Sequence, residues 1–79
     1  GIALFTEREI EEAISHYKMA IKLKPYFTDA HYNLGIVLLQ KGEVKEAVLH
    51  FRETLRLRPR FVQARDYLEL AILKSQGIE

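Results

Sequence analysis

At 79 residues the chain is long enough for one domain with a modest core, and its lack of cysteine excludes disulfide and thiolate chemistry. A formal net charge of +1 argues against a strong general pull on nucleic acid or anionic lipid. No apolar run reaches the roughly 18 residues that a membrane span needs, and the first residues do not read as a signal peptide. A soluble, mostly helical domain is expected, with no membrane insertion of this segment. No residue pattern names a compartment, and the cytoplasm is the default expectation.

In chain order, Gly1 to Phe5 is apolar and reads as the tail of a helix. Thr6 opens the next helix, because Thr6 and Glu9 have the capping-box spacing. Ile10, Ala13, Ile14, Tyr17, Ala20, Ile21 and Leu23 follow in steps that keep them on one helical face. Glu7, Glu9, Glu11 and Glu12 crowd the start and Lys18, Lys22 and Lys24 the end, an order that complements the helix dipole. Pro25 stops this helix, because it lacks an N–H and disfavours helix at Lys24. Thr28 or Asp29 is the expected cap of a second helix running to about Lys41, with Gly42 free to take the left-handed turn. Glu43 to Arg58 is the third, with Val44, Ala47, Val48, Phe51 and Leu55 facing inward and Pro59 ending it. The last runs from about Val62 to Gln76, with Gly77 as its C-terminal cap.

The chain matches itself when shifted by 34 residues. Glu9, Glu12, Ala13, His16, Leu23, Pro25 and Phe27 then fall on Glu43, Glu46, Ala47, His50, Leu57, Pro59 and Phe61. A helix–turn–helix unit at such a period is the signature of a stacked helical repeat. Leu34-Gly35, then Ala47, Phe51 and Pro59, closely resemble the tetratricopeptide repeat and its pattern W-x2-L-G-x2-Y…A-x3-F…P. His31 stands where that pattern has tryptophan, Leu38 where it has tyrosine, and Thr54 replaces a common alanine. The resemblance implies an all-α fold: antiparallel helix–turn–helix units in a right-handed superhelical stack, or α-α solenoid. In that frame residues 1–27 are a partial repeat, 28–61 a complete one and 62–77 a C-terminal capping helix. Gly35 and Ala47 would let two helices approach closely. Glu69 occupies the place of Gly35 and would keep a further helix away, with Arg65 and Lys74 also wetting that side. The chain is therefore expected to be the C-terminal part of a longer repeat array.

The resemblance also implies where a partner binds. In this family the first helix of each repeat lines a concave groove for a peptide or helix. Carried onto this chain, the groove residues are Phe5 with Ile2, then Asp29, Tyr32, Asn33, Ile36, Leu39 and Gln40, then Gln63, Asp66, Tyr67, Leu70, Leu73 and Lys74. The residues themselves show two apolar stripes on the second helix: Ala30, Leu34, Val37 and Leu38, and separately Tyr32, Ile36 and Leu39. One stripe meets the neighbouring helix; the other either packs in the stack or faces a partner. A chaperone-tail clamp is incomplete, because Tyr32, Gln63 and Tyr67 stand where cations are wanted. His16 and His50 hold equivalent places on separate helices, roughly 10 Å apart, too far to share a zinc. Neither catalytic residues, nor a metal, nor a cofactor is expected. Lys22, Lys24, Arg56, Arg58 and Arg60 gather at the helix–proline turns, where the helix dipole accounts for most of them without nucleic acid. The expected function is protein–protein interaction without catalysis. The alternatives are self-association through the N-terminal edge or the apolar groove, and service as a regulatory or substrate-presenting appendage of a larger enzyme such as a glycosyltransferase.

Overall fold

A computed structural model describes residues 6–77, and these form four antiparallel packed α-helices. They are α1 (Glu7–Leu23), α2 (Thr28–Lys41), α3 (Val44–Leu57) and α4 (Val62–Ser75). Each packs on the next in the chain, and α2 also touches α4.

The helix ends follow from a few local bonds. Thr6 Oγ1 accepts from the Glu9 N–H at 3.2 Å, and the Glu9 carboxylate accepts from the Thr6 N–H at 3.2 Å. Two free donors of α1 are thereby satisfied at once. At the other end of α2, Gly42 takes φ 95°. The Glu43 N–H then reaches the Leu38 carbonyl at 2.9 Å and the Gly42 N–H the Leu39 carbonyl at 3.1 Å, a Schellman ending. Gly77 adopts φ 75° just beyond α4.

The start of α2 differs from expectation. Neither Thr28 nor Asp29 caps it: Phe27 is the cap residue, and no side chain bonds to the free amides. The reason is the Pro25 turn, in which the Phe27 N–H returns to the Lys24 carbonyl at 3.0 Å and the helix begins one residue earlier. Asp29 lies inside the first turn, where its charge still favours the dipole. Glu43, Arg58 and Gln76 are cap residues rather than helical ones.

The core gathers Ile14, Leu34, Val37, Leu38, Ala47, Phe51 and Ala71. Phe51 is fully buried at its centre. Gly35 makes room for it: a Cβ at that position would sit 2.8 Å from Phe51 Cε1. Thr54 is also fully buried, and its hydroxyl donates to the His50 carbonyl at 2.8 Å, so the polar group is satisfied. Leu23 departs from the inward face read for α1, being 74 % exposed. Its repeat equivalent Leu57 lies on α3, which has α2 on one side and α4 on the other. Among the described helices α1 packs closely on α2, and Lys18 reaches Glu46 of α3.

Candidate partner-binding face

The face is built on α2 and α4, the first helices of the repeat pattern. α2 buries Ala30, Leu34, Val37 and Leu38. Tyr32, Ile36 and Leu39, the second stripe, are half-buried and pack on the same core. Tyr32 is held by rings: Phe61 at 4.5 Å between centroids, Tyr67 at 5.9 Å and Phe51 at 6.3 Å. Phe51 and Tyr67 stack at 5.6 Å with an 11° interplanar angle. This four-ring cluster joins α2, α3, α4 and the turn between the last two. Burial, and then the neighbouring Tyr67, push the Tyr32 phenol up from its ordinary value, so it remains a neutral donor.

The other expected groove residues fall into two groups. Asn33 and Tyr67 are half-buried, while Asp29, Gln40, Asp66, Leu70, Leu73 and Lys74 are exposed. Leu70 and Leu73 are 43 % and 46 % exposed, large apolar side chains in contact with water on α4. Phe5 and Ile2 lie outside the described residues. The structure therefore brings Tyr32 and Tyr67 together through packing, and leaves Leu70 and Leu73 as the exposed apolar part. Two of the surface clefts among the described residues are lined by other side chains, although Phe61, which lines the first, also packs on Tyr32 of this face. One of about 410 Å³ is lined by Pro59, Arg60, Phe61, Val62 and Arg65, and Arg58 lies over the Phe61 ring at 5.5 Å. The other, of about 180 Å³, is lined by Ala20, Leu23, Lys24 and Phe27.

Sequence reasoning linked His50 with His16; the structure links it with His31. Their Nδ1 atoms are 3.2 Å apart, and His31 Nε2 lies 2.9 Å from the Pro25 carbonyl. Repeat equivalence hid this contact, because it compares like positions on like helices and not positions that face each other. His50 Nε2 also lies 3.8 Å from the Glu46 carboxylate, which Lys18 of α1 approaches at 3.4 Å. Among the described residues no cluster of three or more metal-capable side chains occurs.

The sequence that builds this helix pair, with Gly35 against Phe51 and a proline after α1 and after α3, matches known repeat models. The TPR-repeat family model matches residues 1–42 and the tetratricopeptide-repeat model residues 28–61. The chain belongs to the tetratricopeptide-repeat family. A comparison with curated proteins gives no match. Tetratricopeptide repeats are generally protein–protein interaction modules, and α2 and α3 of this one form the helix pair within residues 28–61. No helix among the described residues is long and apolar enough to cross a membrane.

Proposed function

We propose that this tetratricopeptide module presents the face of α2 and α4 to a peptide or helix of a partner protein and performs no chemistry of its own. The observation that carries the reading is the exposure of Leu70 and Leu73 on α4. Exposed apolar side chains one helical turn apart suit an apolar anchor of an amphipathic or extended ligand. Asp29, Asp66, Gln40 and Lys74 supply polar groups of both signs for its flanks. Tyr32 and Tyr67 would form a rigid floor, since their rings are already fixed by packing.

The test is selection of binders from a displayed random-peptide library, followed by titration. Peptides selected on the wild type should bind Leu70→Glu/Leu73→Glu at least about tenfold more weakly, a loss of about 1.4 kcal/mol. Far-UV circular dichroism of the variant should be unchanged. Selected peptides that bind both proteins equally would overturn the reading.

A second reading, self-association, is favoured by a separate observation. Met19, Leu23 and Phe27 are exposed by 56 %, 74 % and 42 %, and Leu23 and Phe27 line an apolar cleft. A second copy could cover them. Independently of both readings, we take α4 as a capping helix. The support is Glu69, exposed at the place where Gly35 admits a ring.

A further inference from the structure

His31 is only 6 % exposed, and its two ring nitrogens have different partners. A carbonyl oxygen can only accept, so His31 Nε2–H donates to Pro25 at 2.9 Å. In the neutral ring that leaves Nδ1 without a proton. The His50 Nδ1–H must then donate to it across the 3.2 Å contact. His50 Nε2 is in turn bare and faces the Glu46 carboxylate at 3.8 Å.

From this geometry we propose that His31 and His50 form an acid-released latch fastening the Pro25 turn, α2 and α3 together. The first proton fits. Placed on His50 Nε2, it faces Glu46 and leaves both existing hydrogen bonds intact. A second proton has only His31 Nδ1 to occupy. There it would set N–H against N–H at 3.2 Å and two cations side by side in a poorly solvated site. The latch then parts.

The charges around it are few. α3 contributes Glu46, and Glu53, whose carboxyl is held below its ordinary value first by its partner Arg56 and more weakly by the two histidines. α1 contributes Lys18, already paired with Glu46, and the turn contributes the Pro25 carbonyl. Burial first, and then His31, hold the His50 imidazolium below its ordinary value of 6.5, with Glu46 opposing and Lys18 adding to the effect. The unfolded chain therefore takes up protons first as pH falls. The His50 share of the stability is fully present above its unfolded value of about 6.5 and declines as pH falls toward the lowered folded value; a second proton then adds the charge clash that parts the latch. A tryptophan at the place of His31, as in the family pattern, would carry no such dependence.

The test compares thermal unfolding of the 79-residue chain and its variants between about pH 7.5 and 5.5, above the range where carboxylates titrate. The wild type should lose about 5 °C or more in Tm across this window. His50→Gln should lose less than half as much, because its amide can donate to His31 Nδ1 when neutral and turn to accept when His31 is charged. His16→Gln should follow the wild type. Nitrogen-resolved NMR of the wild type should find the His31 proton on Nε2 at pH 7.5, and coupled two-step titration of His31 and His50. A flat wild-type profile, a His50→Gln profile matching the wild type, loss of the effect in His16→Gln, or a neutral His31 protonated on Nδ1 would each overturn the latch. If His50→Gln does not fold, the wild-type spectra decide: coupled steps support it and independent single steps refute it.

Discussion

At the residue scale, Gly35 and Phe51 are one feature. The missing side chain is the space in which the ring lies, and the ring is in turn stacked on Tyr67 at 5.6 Å. Gly35→Ala weighs two effects against each other. Alanine is a better helix former by about 1 kcal/mol. The added methyl would meet a buried ring at 2.8 Å, and overpacking costs about 1–3 kcal/mol. The ring is fully buried and has little freedom to move, so the clash wins and the variant should be less stable by about 1 kcal/mol. Urea unfolding at constant m-value measures this. A higher midpoint than wild type would mean that the ring yields and that glycine is not needed for the close approach. Thr54 illustrates another residue-level exchange: a hydroxyl replaces a common alanine and remains satisfied through the His50 carbonyl.

At the element scale, α1 and α2 begin in different ways, and their caps should respond differently. Thr6 and Glu9 satisfy each other's backbone donors. Thr6→Ala should therefore cost about 1 kcal/mol. Thr28 has the composition of a cap without the position, since Phe27 precedes the helix. Thr28→Ala should change stability by no more than about 0.5 kcal/mol. Parallel denaturation curves of the two variants check this; equal losses would place Thr28 in a capping role after all. α2 differs from α1 in a further respect. It buries six residues and meets α1, α3 and α4, although α4 packs mainly on α3. Ion pairs at the surface join the same elements: Lys41 of α2 reaches Glu11 of α1 at 2.7 Å, and Lys18 of α1 reaches Glu46 of α3. Salt screens such exposed pairs, so they orient the helices more than they hold them.

At the scale of the whole molecule, several large apolar side chains among the described residues remain in water, Leu49 and Val62 included, and two groups of them lead to different experiments. Leu70 and Leu73 lie on α4; Met19, Leu23 and Phe27 lie along α1 and the Pro25 turn. If the second region is covered by another copy, light scattering after size exclusion should give a mass that rises with concentration. Leu23→Glu should return it to that of the monomer, while Leu70→Glu/Leu73→Glu should not. A monomer at all concentrations would remove self-association and leave the α2–α4 face as the interaction surface to test. The His31–His50 contact bears on this scale as well, because it ties the Pro25 turn to two consecutive helices, α2 and α3.

Much was legible before any coordinates. Period and punctuation determine the four helices, because capping chemistry, proline and left-handed glycine act within a few residues of themselves. The spacing of Gly35, Ala47, Phe51 and Pro59 likewise determines the repeat and the family. The expected binding residues are a mixed set, and the sequence could not sort them. Tyr32 reads as either a packing or a partner-facing residue until Phe61 and Tyr67 are brought against it by the α3–α4 turn and α4. His50 reads as the repeat mate of His16 until α2 sets His31 opposite. Helical periodicity states which residues share a face. Which partner that face meets depends on contacts between separate helices, and only the tertiary structure decides those.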